Sequence, residues 1–197
     1  MKRLATAMIL SSVAAFALTV HPIPVKIEGK KYAEFHLGDD TGKYQVFIKK
    51  WKQENGEDVL EDTKEIFVFP KIFQAPKTIK IYAKSKNIEQ EQAYRLILKE
   101  LNIKKRNDNK TVVLKTLSIP VFVKPKNETP NLKTECVGHT LRLINNGNVH
   151  FKILSIANKK EVIYVLSNQT KEVQDVENSG VIETNRGFYE YTCKEVQ

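Results

Sequence analysis

The stretch that most limits what this chain can fold into is residues 111–125, TVVLKTLSIPVFVKP. It is long for a strand, rich in β-branched residues and closed by a proline. Leu117, Ile119, Val121 and Val123 share one face at period two, while Pro120, Phe122 and Lys124 share the other. Just upstream, Val112, Val113 and Leu114 are apolar on both faces. Pro120 has no N–H to give to a ladder, which assigns the strand to a sheet edge. A long apolar edge is a template for aggregation unless something covers it. Any fold and any function for this chain must supply that cover.

Short runs separated by turn signals lead up to it. Residues 21–27 put Ile23, Val25 and Ile27 on one face and Pro22 and Pro24 on the other, an edge strand with its donor-poor side outward. Residues 31–37 alternate with Ala33, Phe35 and Leu37 inward, and a Gly-Asp-Asp-Thr-Gly turn cluster follows. Residues 44–52 carry Trp51 near their end, and Asn55-Gly56 marks a tight turn. Residues 66–69 stop at Pro70, residues 78–84 set Ile79, Ile81 and Ala83 against Lys80, Tyr82 and Lys84, and residues 93–101 align Tyr94, Leu96 and Leu98. A basic polar loop over 102–110 enters the long strand. The only helical candidate, residues 87–92, is too short to hold on its own. Seven strands with one Trp on the third predict an immunoglobulin-like sandwich with Trp51 in its core.

The polar stretch around Glu128-Thr129-Pro130 reads as a linker. Beyond it, residues 141–144 and 149–156 flank Asn145-Asn146-Gly147-Asn148, a hairpin signal, and residues 181–184 and 188–196 meet at Asn185-Arg186-Gly187. The expected fold class is all-β, two immunoglobulin-like β-sandwich domains joined by a short linker. The expected limits are 1–17 for a signal peptide, 18–126 for the N-terminal seven-stranded domain and 127–197 for a smaller C-terminal β domain.

Residues 1–17 have the layout of an export signal: Lys2 and Arg3, an apolar run, then Ala15-Phe16-Ala17. The run is short and rich in Ala and Ser, and no second apolar segment of spanning length follows, so no integral membrane segment is expected after cleavage. Export would make Cys136 and Cys193, the only two cysteines, either one bridge or two buried thiols, with an oxidising compartment favouring the bridge. The net charge of +9 is spread through the strands rather than gathered in blocks, which argues against nucleic-acid binding. There is no phosphate loop, no HExxH and no nucleophile elbow, and the four histidines (His21, His36, His139, His150) stand apart as expected surface imidazoles. The chain does not read as an enzyme, and neither a cofactor nor a metal is expected.

Several segments together resemble periplasmic pilus-assembly chaperones of the chaperone–usher pathway, above all the archaic branch that serves spore-coat-U-like pili. They are WKQENGED at 51–58, FPKIF at 69–73, YRLILKEL at 94–101 and LSIPVFVKP at 117–125, with NNGN at 145–148 as a turn of the second domain. The resemblance covers nearly all of the first domain and runs more loosely into the second. It implies a chaperone that lends the seventh strand of its first domain to a pilus subunit whose immunoglobulin-like fold lacks a last strand. It then delivers the subunit to an outer-membrane usher, without nucleotide. Val112 or Leu114, with Leu117, Ile119 and Val121, would fill the subunit groove, which explains the apolar edge.

The resemblance further implies basic residues that hold the subunit's C-terminal carboxylate. Lys26 stands where the family usually has Arg on the first strand, and Pro120 stands at the basic seventh-strand position. Arg95 on the neighbouring strand is the substitute, since a guanidinium grips a carboxylate in two places. Its alternative is an ordinary cross-strand ion pair. Two other functions fit a secreted β-sandwich: a pilus subunit or adhesin, and a binding module for another ligand. A subunit would be one incomplete sandwich, whereas this chain continues into a second domain.

Overall fold

The computed structural model describes residues 18–85, 87–101 and 113–195, so the expected signal peptide and Val112 lie outside the described residues. Among the described residues there are seventeen strands and no helix. Ten belong to the first sandwich: β1 (Thr19–His21), β2 (Val25–Ile27), β3 (Tyr32–Gly38), β4 (Lys43–Glu54), β5 (Glu57–Asp62), β6 (Ile66–Phe69), β7 (Ile72–Gln74), β8 (Lys77–Ala83), β9 (Gln92–Glu100) and β10 (Thr116–Val123). One sheet has the order β1-β3-β8-β6 and the other β2-β10-β9-β4-β5, with β7 also pairing β4. Phe35, Leu37, Ile79 and Ile81 from the first sheet meet Tyr44, Leu96, Leu98, Ile119 and Val121 from the second in a closed core.

The run 21–27 is not one strand. β1 joins β3 in one sheet and β2 joins β10 in the other, so the chain changes sheets across Pro22-Ile23-Pro24. Two rings without N–H groups interrupt any continuous ladder there, and the crossing lets the first residues edge both sheets. Asn55 and Gly56 both have positive φ, 52° and 80°, and close the β4–β5 hairpin. β5 itself, EDVLED, carried too much charge to register as a strand in the sequence.

The second sandwich holds β11 (Leu132–Val137), β12 (Thr140–Asn145), β13 (Phe151–Ile156), β14 (Lys159–Val165), β15 (Thr170–Val173), β16 (Ser179–Thr184) and β17 (Gly187–Thr192). Its sheets run β11-β12-β15 and β14-β13-β16-β17 around Leu141, Leu143, Phe151, Ile153 and Ile182. Asn145-Asn146-Gly147-Asn148 is therefore not a hairpin, because β12 and β13 lie in opposite sheets. The buried Asn145 amide organises the crossing: Nδ2 donates to the carbonyls of Val149, Val165 and Leu166, and Oδ1 accepts from the Gly147 N–H. Gly147 is required here by space, since a Cβ would stand 2.5 Å from both Thr129 O and Asn131 N.

Cys136, at the end of β11, is bonded to Cys193, just past β17. The bridge ties the first strand of this domain to its last.

Candidate functional site

β10 is paired along its whole length with β9 on one side. On its other side β2 covers only Val121, Phe122 and Val123, and Lys124 N–H donates to Ile27 O just beyond. Residues 116–120 thus present an open edge, and no described strand pairs with it. Its entry is pinned. Lys115 N–H donates to Glu100 Oε2 at 3.0 Å, and Lys115 Nζ lies 2.7 Å from Asp40 Oδ2. Asp40 is half-buried, which opposes ionisation, but Lys115, the Tyr44 hydroxyl and the N–H groups of Gly42 and Thr41 overcome this and hold its carboxyl at about 2. One end of the open edge is tied to Glu100 and Asp40 and the other to β2.

The side chains of this strand divide differently from the expectation. The period-two face is real, but it points into the domain's own core: Ile119 and Val121 are buried there and Leu117 packs against it half-buried. Ile119 and Val121 are therefore not available to enter a partner, because withdrawing them would open the sandwich. The apolar residues left free are Val113, 85% exposed, and Leu114. The unpaired backbone of 116–120 is the larger offering.

The opposite face of the β2-β10-β9-β4-β5 sheet forms the wall of the cleft between the domains. Trp51 sits on this face, not in the sandwich core, and packs with Ala93, Phe122 and, from the second domain, Leu166 and Tyr164. Arg95 stands opposite Pro120 in the β10–β9 register. Its guanidinium lies 3.6 Å from the Trp51 ring centroid and 5.7 Å from that of Tyr164. Burial pulls its pKa down and the nearby Asp58 carboxylate opposes this; Asp58 Oδ2 is 3.9 Å from Nη2. Lys26 is exposed opposite Phe122, where β2 begins to cover the edge, and makes no ion pair with a described residue. Arg95 and Lys26 thus flank the point at which the open edge stops.

Nearer the linker the two domains are joined by a charge cluster whose centre, Glu91, Lys124 and His150, is buried. Lys124 Nζ lies 2.8 Å from Glu91 Oε2 and 3.0 Å from Glu128 Oε1. His150 donates its N–H and its Nδ1–H to Glu91 Oε1, at 2.9 and 2.6 Å, and its ring stacks on Phe122 at 3.7 Å. Arg186 closes the cluster on Glu128 at 2.8 Å. His150 is thus a buried seam residue and not a surface imidazole. Gln53 adds two bonds across the seam, donating to Tyr164 O and accepting from the Leu166 N–H. The sequence assigns no role to Glu91, Lys124, Gln53 or Asp58. Only the adjacency of strands brings them together.

Two sandwiches joined at a polar seam, with one edge strand paired on its second side for only part of its length, define a class of two-domain β proteins. Comparison with solved structures makes the fold specific. It is shared with a chaperone of the archaic chaperone–usher Csu pili of Acinetobacter baumannii, solved as the CsuC–CsuE chaperone–tip adhesion subunit pre-assembly complex: TM-score 0.66, 21% identity, 92% of this chain and 100% of that one. It is shared also with the Escherichia coli chaperone DraB, at TM-score 0.63 and 13% identity over 91% and 97% of the chains. A third match is from Salmonella enterica, the SafA pilin–SafB chaperone complex, at 0.64 and 12% over 90% and 97%. The chain has the fold of the chaperone–usher pilus chaperones. Neither protein-family models nor curated proteins give a match to the sequence.

Proposed function

We propose that this chain is a periplasmic chaperone that captures incomplete immunoglobulin-like pilus subunits on the open edge of β10 and delivers them to an outer-membrane usher. The observation that carries the proposal is that edge: five residues of prepositioned, unpaired backbone, beside exposed apolar side chains, in a fold shared with pilus chaperones. A subunit strand laid along 116–120 extends the sheet by β-augmentation. It must stop where β2 takes over, and its terminal carboxylate then falls between Arg95 and Lys26. Half-buried beside an aromatic wall, Arg95 offers a partly dehydrated grip that an exposed lysine lacks. Leu117, Leu114 and Val113 supply the apolar contacts at the far end of the edge, a role in which Val112 is also proposed.

The test is to tag the chain, recover it from periplasm and identify what copurifies. A pilus subunit in stoichiometric amount supports the proposal. A chain exported and folded but recovered alone, in cells that are assembling pili, counts against it.

A further inference from the structure

We propose that Asp58 is a resident counter-ion that parks Arg95 in the empty protein, and that capture of a carboxylate hands Asp58 over to Lys171 of the second domain. The proposal rests on the reading of Arg95 as the carboxylate anchor and adds to it a competitor built into the site.

Strand order supplies the argument. Arg95 roots on β9, and the open edge lies beyond β10 on one side of it, while β4 and then β5 lie on the other. The guanidinium is laid over Trp51 of β4 and directed at Asp58 of β5, away from the edge it is to serve. Loading therefore requires it to turn back across β9 and leave Asp58. The contact it leaves is loose, because 3.9 Å is beyond hydrogen-bond range. Asp58 is 44% exposed and can hydrate when Arg95 departs. Its other oxygen is already supported, accepting from Gln53 Nε2 at 2.9 Å and lying 3.8 Å from Lys171 Nζ. Lys171 also donates to Gly56 O in the β4–β5 turn, so it is held at the seam to receive that charge.

Such an arrangement avoids leaving a half-buried guanidinium without an anion, yet the resident anion is weak enough to lose. Only a carboxylate that meets the guanidinium at hydrogen-bond distance displaces it. The site then favours a free chain terminus over an amide of the same sequence.

Trp51 is the only tryptophan, so its emission reports Arg95 leaving the ring. The probe is a short synthetic peptide of alternating valine and threonine, as the C-terminal acid and as the amide, titrated into the full chain. The acid form is expected to bind more tightly than the amide and to shift Trp51 emission. D58N should tighten the acid form about fivefold, the size of one partly exposed ion pair, and leave the amide unchanged. K171M, which throws Asp58 back on Arg95, should weaken the acid form. Because these two effects have opposite signs, partial unfolding cannot imitate the pair. E57Q removes a neighbouring charge that makes no ion pair with a described residue and serves as the control. If D58N does no more than E57Q, or K171M tightens binding, the role given to Asp58 is overturned while the anchor stands. If R95A still separates acid from amide, or the unaltered chain binds both alike or neither, the anchor reading itself fails.

Discussion

Glu91 shows how much one residue can carry in this fold. Its carboxylate is buried, which opposes ionisation, but His150 and Lys124 outweigh burial and keep its pKa below the usual range. Burial in turn pushes the His150 pKa down, since a charged ring would sit against Phe122 with Lys124 and Arg186 nearby. An unfolded histidine binds a proton near 6.5, and the folded one only at lower pH. Below that value the unfolded state gains protons that the folded state refuses, so stability falls as pH drops. Glu91 and Glu128, whose folded pKa values are lowered, act in the same direction further down, their contribution being lost as pH falls below the usual carboxylate range. The melting temperature is expected to decline from pH 7.5 to pH 5.5, and His150→Gln to flatten that part of the profile. A profile in His150→Gln as steep as in the parent would remove His150 from the cause. Arg95 is the second residue on which much depends. If it clamps a subunit carboxylate, Arg95→Ala leaves that charge buried and alone and costs on the order of 3–5 kcal/mol of binding. Were Arg95 only a partner of Asp58, the cost would be ~1 kcal/mol or less. Lys26→Ala should cost less than Arg95→Ala, since an exposed ammonium stays hydrated. Subunit copurification with each variant, beside a melt of each free protein, separates these outcomes.

At the scale of the element, β10 serves two masters along its length. From Val121 onward it is an interior strand, and before that it is an edge. This division decides which substitution probes function and which merely unfolds the protein. Ile119 is 4% exposed in the core, so Ile119→Asp would bury an unpaired carboxylate and lose the ~1.5–3 kcal/mol of a buried aliphatic besides. It is expected to prevent folding. Leu117 is only half-buried, so Leu117→Asp can turn its charge to water, leaving the melt nearly unchanged while subunit recovery falls. Full recovery of subunit with a folded Leu117→Asp chain would argue that the edge is not the docking strand. The alternation at 117–123 was legible in the sequence, because period two separates two faces whatever they meet. What each face meets was not legible, because alternation carries no information on which sheet or domain lies opposite.

The whole molecule is two small sandwiches made into one body by a polar seam and by closure of the second domain. Seam bonds such as His150–Glu91 and Asn148–Glu89 join residues 59 apart in sequence, and Gln53–Leu166 joins residues 113 apart. The second sandwich is small enough that a staple matters. The Cys136–Cys193 bridge spans 57 residues, and closing a loop of that length removes ~4 kcal/mol worth of unfolded-chain freedom in the chain-entropy model. Replacing both cysteines by alanine should lower the urea midpoint accordingly, and adding reductant to the parent should do the same. An unchanged midpoint in both experiments would mean that β11 and β17 hold without the bridge. The relative angle of the domains sets the cleft in which Arg95 and Tyr164 meet, so seam variants such as Glu91→Gln are expected to weaken carboxylate capture as well as stability.

The sequence by itself determined the all-β class, the two sandwiches, the tight turns at Asn55-Gly56 and Asn185-Arg186-Gly187, and the long apolar strand that needed cover. These follow from local rules: side-chain alternation, backbone freedom at Asn-Gly, and the missing N–H of proline. It also singled out Cys136 and Cys193, since the only two cysteines of a sequence have one possible partner each. Tertiary structure alone decided the rest. It moved Trp51 from the core to the cleft, split residues 21–27 between two sheets, turned the Asn145–Asn148 segment from a hairpin into a crossing, and claimed Ile119 and Val121 for the domain's own core. It also set Arg95 against Asp58 and Glu91 against His150. The physical reason is common to all of these: they are decided by which strands become neighbours and which faces oppose, and neighbours across a sheet or a seam are related by register, not by spacing along the chain.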